Sequence, residues 1–441
     1  MKNVTVIGLW HLGTITAACL ASSGYKVTGI DLNQKVVSNL QRGKPPLYEP
    51  GLAELIKECV AKKTLSFTKD FKSGLKESDY VIIAFDTPVN DDDTPDLSPI
   101  LESITKSVPY LQNDCLIVIS SQVPIGTCEE IKAMIQKKRK SLNFGIACIP
   151  ENLKLGEAIS RFKNPDLIVI GTDKEESFSK ARELYGFVDS AQIRQVNLRT
   201  AEMVKHAMNA FLANQVSFAN EMGNVCDRVG VDWFDVIPAL HLDKRVGEGA
   251  LLRSGLGFGG GTLARDVGVL RRTGKKNGVD TVLLDAVMLV NRDQNMMVVE
   301  KLRMLFGNLK GLRVGVLGLT YKPGTSTIRR SASVEIIKML KKDGVSVKAY
   351  DPKASFSAKE AGVRFERCKT ADLVARSSDA LLILTAWPEF KELDFARLKS
   401  MMSHQVIIDA LNMLDQKEMA RCGFIYVGLG RGLQIKHIAK Q

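Results

Sequence analysis

Two groups of residues in this sequence have types and spacing that could do chemistry. Gly8 and Gly13 bracket the run Gly8-Leu-Trp-His-Leu-Gly13, where an apolar segment gives way to a helical one. Asp31 ends the next apolar segment, about 20 residues on. Such a turn brings backbone N–H groups and a helix N-terminus to a phosphate, and a carboxylate at Asp31 can take ribose hydroxyls. The same carboxylate repels a 2′-phosphate, so NAD is favoured over NADP. Gly8, Trp10, His11, Leu12, Gly13 and Asp31 are the resulting candidate cofactor contacts. Trp10 stands where the G-x-G-x-x-G pattern has its second glycine, so the loop has to be reshaped. Taken alone, the run is equally a tight structural turn in an α/β domain that binds no nucleotide. The second group is Lys205 and Asn209, which lie at i and i+4 in a long helical stretch and so project from one face. By residue type alone, Lys205 reads first as an exposed helix lysine and Asp266 as a helix cap.

The elements that must position these residues are legible as periodicity. Apolar strands are expected at 4–7, 27–30, 80–85, 116–120, 145–149 and 167–170, with amphipathic helices between them, for example 34–40 and 52–61. Continuous apolar strands separated by helices argue for a parallel sheet covered on both faces. Residues 200–228 carry apolar residues at helical spacing without proline, and a helical region continues to about 237. A glycine-rich loop follows at 255–261, then helices to about 306. A second strand–helix series starts near 312, with strands at 314–317, 345–350, 380–384, 406–408 and 424–427 and a helix at 334–340. The expected fold is α/β, with two Rossmann-like doubly wound domains joined by a long central helix and a helical middle domain. The corresponding division is 1–198 for NAD binding, 199–308 for the helical middle with the active-site loop, and 309–441 for the nucleotide sugar.

Composition narrows the class. The chain has 441 residues, 45% hydrophobic and 25% charged, which excludes a disordered, collagen-like or disulfide-dense chain. A formal net charge of +12 suits an anionic partner without selecting one. The densest basic run, Lys137-Lys138-Arg139-Lys140, ends an expected helix and reads as a solvated turn rather than a nucleic-acid patch. The eight cysteines form no Cys-x-x-Cys pair, and no Cys/His cluster has metal-ligand spacing. A reducing cytoplasm is the expected compartment. Residues 3–25 carry no formal charge, yet the strand, the glycine turn and the polar His11, Thr14 and Thr16 argue against a membrane segment.

Further motifs occur in order along the chain. Tyr48-Glu-Pro-Gly-Leu52, Thr87-Pro88, Val123-Pro-Ile-Gly-Thr127 and Pro150-Glu151 lie in the first part. Ala201-Glu-x-x-Lys205-x-x-x-Asn209, Asn220-Glu221, Arg245-Val-Gly247, Gly257-Phe-Gly-Gly260, Arg265-Asp266 and Asn291-x-x-Gln294 lie in the middle. Gly318-Leu-Thr-Tyr-Lys-Pro323, Tyr350-Asp-Pro352 and Gly428-Leu-Gly-Arg431 lie in the last part. Together they resemble the UDP-glucose/GDP-mannose dehydrogenase family over nearly the whole chain. The resemblance implies an NAD-dependent oxidoreductase that oxidises the primary alcohol of a nucleotide sugar in two hydride transfers, the second through a cysteine thiohemiacetal. It implies Lys205 as clamp for the developing alkoxide, Asn209 as hydrogen-bond partner of the same oxygen, Asp266 as proton acceptor through water, and Glu151 as base for hydrolysis. By the same resemblance Thr87, Gln122 and Arg329 join the cofactor contacts, and Lys154, Arg245, Phe258, Gly259, Gly260, Tyr321 and Lys322 are expected around the substrate. A homodimer or higher oligomer is implied as well, although the long helix is equally an intramolecular spine.

The departures from the family pattern gather at one place. The family's Gly-Phe-Gly-Gly-Ser-Cys-x-x-Lys-Asp reads here Gly257-Phe-Gly-Gly-Gly-Thr262-Leu-Ala-Arg-Asp266, and no cysteine occurs between 226 and 368. A threonine hydroxyl titrates far above a thiol (about 8.5) and is a poor nucleophile without an adjacent base. Gln122 stands at a threonine of the family, Asn152 and Leu155 alter the stretch after Pro150-Glu151, and Ser326-Thr327 and Arg330 replace acidic residues. The expectation is an oxidoreductase that keeps the first oxidation, with the cysteine-dependent second one in doubt. Alternatives are a single-hydride oxidoreductase, an epimerase that retains NAD, and a silent nucleotide-sugar-binding scaffold. A 3-hydroxyacid dehydrogenase explains the first domain but not the last.

Overall fold

The computed structural model describes residues 1–87, 94–151, 153–188 and 192–432. Pro88 and Asn152, singled out above, lie outside the described residues. The chain divides into two compact units, Met1–Met208 and Asn209–Gln441.

The first unit is built on eight strands: β1 (Asn3–Ile7), β2 (Lys26–Ile30), β3 (Leu65–Thr68), β4 (Tyr80–Ile83), β5 (Cys115–Ile119), β6 (Phe144–Cys148), β7 (Leu167–Thr172) and β8 (Gln192–Asn197). Their order is β3-β2-β1-β4-β5-β6-β7-β8. The strands from β3 across to β6 pair in parallel. The chain leaves β1 towards β2 on one side and reaches β4 on the other, which opens a crevice at the carboxyl end of β1. In β5, Leu116 and Val118 belong to one buried cluster, whereas Ile117 and Ile119 belong to the other. A strand alternates faces with period two, so an unbroken apolar run means that both faces are covered. The helix His11–Ser22 buries ten of its twelve residues, which is why it carries no charge. Among the described residues no helix is long and apolar enough to cross a membrane.

In this first sheet two strands escaped the periodicity and one runs against expectation. β3 alternates buried and exposed residues, and four of the six residues of β8 are polar; both are edge strands, which need no continuous apolar run. β7 pairs antiparallel with β6. A parallel return needs a helix long enough to carry the chain back along the sheet. Among the described residues of the connection from β6 to β7, the helix is the six-residue Ala158–Lys163.

The helix Leu198–Val229 has 32 residues and continues from the first unit into the second. The second unit adds the helices Trp233–Leu242, Thr262–Lys276, Val282–Gln294 and Met296–Phe306. Its strands are β9 (Arg313–Leu317), β10 (Ser346–Tyr350), β11 (Glu366–Arg367), β12 (Ala380–Ile383), β13 (Val406–Asp409) and β14 (Ile425–Gly428). Their order, β11-β10-β9-β12-β13-β14, repeats that of the first six strands, and all pairs are parallel. Two Rossmann-like doubly wound sheets are therefore present, as expected.

Candidate active site

In the first unit the turn after β1 is held by its glycines. Gly8 has φ +94°, a conformation that favours glycine, and a Cβ on Gly13 would lie 1.7 Å from the Gly8 carbonyl oxygen. Trp10 has φ −81°, ordinary for any L-residue, and is half exposed. The φ at this position therefore needs no glycine. Asp31, at the carboxyl end of β2, accepts from the Leu9 N–H (2.9 Å) and the Asn33 N–H (2.8 Å). A carboxylate has about four acceptor positions, so Asp31 retains capacity for a ligand hydroxyl.

The helix His11–Ser22 has no side-chain cap at its start. Its Leu12 N–H donates instead to the Asp86 carboxylate (3.2 Å), from the loop after β4. That loop is pinned on either side of Asp86: the Phe85 N–H donates to Ser121 Oγ (2.7 Å), and the Thr87 hydroxyl to the Gln122 carbonyl (2.8 Å). His11 meets the buried Glu49 (3.2 Å), which also accepts from the Gly156 and Ala158 N–H groups. Glu49 thus ties the phosphate turn to the segment that carries Glu151 and Lys154. The Glu151 carboxylate accepts from the Leu153 N–H (2.5 Å), and the exposed Lys154 pairs with Glu157 (2.7 Å).

The Val123–Thr127 loop is held by the first turns of the long helix. Glu202 accepts from the Gly126 (2.5 Å) and Cys128 (2.8 Å) N–H groups, and His206 Nε2 meets the Val123 carbonyl (2.8 Å). Burial pushes the Glu202 carboxyl above its ordinary value, against the pull of those N–H groups. Lys205, between these two anchors in sequence, is partly exposed.

In the second unit Asn209 and Asp266 meet: the buried Asn209 amide donates to Asp266 Oδ2. The neighbouring Arg265 pairs with Asp266 Oδ1 at 3.2 Å. Asp266 is fully buried, so the pairing is what makes a charge there tolerable. Thr262 is exposed in the first turn of the same helix, four residues before Asp266 and on its face.

Four side-chain amides, those of Asn220, Gln294 and Asn295 buried, clamp the glycine loop before that helix. Asn220 accepts from the Gly255 N–H (2.8 Å), Asn291 from the Phe258 N–H (2.6 Å) and Asn295 from the Gly257 N–H (3.2 Å), while Gln294 donates to the Gly255 carbonyl (2.7 Å). A Cβ on Gly257 would lie 2.5 Å from the Asn291 carbonyl oxygen, and Gly260 has φ +74° against the Tyr321 ring. Phe258 and Gly259 share a cavity of about 270 Å³ with Tyr321, Lys322, Ser331 and Ser333. That cavity lies past the carboxyl end of β9, at the start of the helix Ala332–Lys342.

Two further expected contacts are at the surface. Arg245 is exposed and holds Asp243 with two hydrogen bonds (2.9 and 2.6 Å), and Arg329 is an exposed loop residue. Glu49, Asp86, Glu202, His206 and Asn295 were not singled out from the sequence. Glu49 and Glu202 sit inside quoted motifs, and Asp86 directly precedes Thr87-Pro88, so proximity to the motifs was the available signal. Among the described residues no group of His, Cys, Asp and Glu is arranged to hold a metal ion.

Two dinucleotide-type sheets and a glycine turn with its carboxylate are the frame of an NAD-dependent oxidoreductase acting on CH–OH groups. Comparison with known proteins gives the family. Residues 2–189, 199–293 and 315–416 match the NAD binding, central and UDP binding domains of the UDP-glucose/GDP-mannose dehydrogenase family. The chain belongs to that family. It is 36% identical over 433 residues to the UDP-glucose 6-dehydrogenase of Bacillus subtilis, covering 98% of this chain and 94% of the relative. It is 34% identical to that of Pseudomonas aeruginosa, covering 97% of each. Among solved structures, a UDP-glucose dehydrogenase from Pyrobaculum islandicum aligns with a TM-score of 0.88 at 32% identity, covering 98% of both chains. A UDP-D-ManNAc dehydrogenase from Pyrococcus horikoshii aligns with a TM-score of 0.86 at 28% identity, covering 98% of this chain and 100% of the other.

Proposed function

We propose that this chain oxidises the primary alcohol of a UDP-sugar, and that any step after the first two-electron oxidation proceeds without a covalent sulfur intermediate. The observation that carries the proposal is Thr262 on the same helix face as the buried Asp266–Asn209 pair. The polar set of the first oxidation is present, while a threonine stands at the nucleophile position. The thiols that bracket this segment offer no substitute. Burial, then Asp227 and Asp232, pushes the Cys226 thiol up, and burial, then Glu366, does the same to Cys368. An activated nucleophile needs the opposite shift.

Lys205 places an ammonium beside the oxygen that becomes an alkoxide, and Asn209 hydrogen-bonds the same oxygen. Asp266 fixes the Asn209 amide and takes the alcohol proton through an ordered water. Bound NAD supplies the hydride acceptor. The glycine turn and Asp31 fit it, because Asp31 keeps acceptor capacity and the turn admits no Cβ at Gly13. Thr87 and Gln122 border the same site, with Arg329 assigned to it by the family pattern. The cavity beside Tyr321 and Lys322, with Phe258, Gly259 and Gly260, suits the UDP moiety. Lys154 and Arg245 are assigned to the sugar side by the family pattern alone. Glu151 serves as base where a carbonyl hydrate is processed. In functional terms the parts are 1–198, 199–308 and 309–441, and free cysteines suit a cytoplasmic setting.

The test is product mass after incubation with NAD and a panel of UDP-sugars. Loss of two hydrogens means release at the carbonyl; gain of one oxygen with that loss means oxidation of the hydrate. Lys205→Ala is expected to lower turnover by about 10²- to 10⁴-fold. Unchanged turnover in that variant, or a trapped cysteine thioester, overturns the proposal.

A second copy of the chain is also proposed as partner. Phe211, Phe218 and Val225 recur at seven-residue steps along the long helix, and with Val229 they are 46–65% exposed. Such a stripe is a helix-packing seam. Sedimentation of a monomer at micromolar concentration would refute it.

A further inference from the structure

We infer that Asp86 sets the affinity of the dinucleotide site by occupying, with its own carboxylate, the place a phosphate takes at the start of the helix His11–Ser22. The inference rests on the NAD site proposed above and goes beyond it. A helix N-terminus without a side-chain cap offers open N–H groups and partial positive charge to an anion. Here one of those groups, the Leu12 N–H, already donates to Asp86 Oδ2 at 3.2 Å.

The placement of Asp86 is built in. Its neighbour Phe85 is pinned by Ser121, Thr87 is pinned through the Gln122 carbonyl, and the Phe85 ring closes on the turn so that a Cβ on Gly8 would lie 2.9 Å from it. The loop after β4 is thereby pressed against the phosphate turn with its carboxylate at the helix start. With Asp31 on the Leu9 N–H, the turn already holds carboxylates at two of its N–H groups. A pyrophosphate entering the turn meets a like charge and competes for the Leu12 N–H. The consequence is a weaker hold on NAD, which favours exchange of the cofactor at each turnover over permanent retention.

The test is calorimetric titration of NAD into the full-length protein, freed of nucleotide, as wild type, Asp86→Asn and Asp86→Ser. Removing the charge is expected to tighten binding about tenfold in both variants. Melting temperatures without ligand identify a variant that fails to fold, in which case the other decides. NAD binding that is unchanged or weaker in the folded variants overturns the inference and leaves the NAD site standing. Absence of NAD binding in all three proteins overturns the site itself, and the inference with it.

Discussion

The two sheets share one strand order, and each has a carboxylate at the end of its second strand, but they use that carboxylate differently. Asp31, after β2, accepts two backbone N–H groups. Asp351, after β10, takes six donors: the Leu319, Thr320, Lys353 and Ala354 N–H groups, the Thr320 hydroxyl and the Trp387 indole. The helix starts differ in the same sense. The Ser331 side chain caps Ala332–Lys342 from the residue before the helix, whereas His11–Ser22 has no such cap of its own and its Leu12 N–H meets the distant Asp86 carboxylate instead. One architecture therefore serves two ends. In the first unit the polar groups at the strand ends keep capacity for a ligand. In the second unit the equivalent groups are spent on the protein, and the cavity there is lined by loops and by Lys322 and Tyr321.

The comparison breaks most visibly at Asp351. Asp351→Ala orphans several donors at once and is expected to cost about 3 kcal/mol in urea denaturation. Burial pushes this carboxyl up, but the Leu319 and Thr320 N–H groups outweigh it and hold it below its ordinary value of 3.8. Its stabilisation is accordingly full above the ordinary value and lost as pH falls through the lower folded one. Acid unfolding of the variant should show a shallower pH dependence below about pH 4. A loss under about 1 kcal/mol would show that Asp351 is dispensable to the fold.

Asp31→Ala should instead weaken NAD binding roughly 10- to 100-fold, as loss of a charge-assisted hydrogen-bond pair does, with a smaller stability cost than Asp351→Ala. Titration calorimetry beside urea denaturation checks both. Equal stability costs in the two variants would erase the contrast.

The smallest effect concerns the helix starts. Ser331→Ala removes a cap and should cost about 1 kcal/mol, and NAD affinity should not move. A change in NAD affinity there would show that the two units do not divide the labour as described.

Much of this was legible in the amino-acid order, for identifiable reasons. Strands buried on both faces announce themselves as apolar runs, and β1, β4, β5, β6, β9 and β12 were read directly. The edge strands β3, β8 and β11 were not, because a strand open to solvent keeps its polar residues. Gly8, Gly13, Asp31, Lys205, Asn209 and Asp266 stood out through spacing and motif.

By itself the sequence determined the two-sheet class, the glycine turn and the absence of a cysteine at position 262. These depend on periodicity, on backbone freedom and on residue identity, all local to the chain. Only the tertiary structure decided that β7 reverses, that Asn209 is held by Asp266, and that Asp86 stands at the helix start. Asp86 lies 74 positions from Leu12, and Asp266 lies 57 from Asn209. Contacts over such separations are set by how strands order in a sheet and how helices pack on one another, which no local pattern encodes.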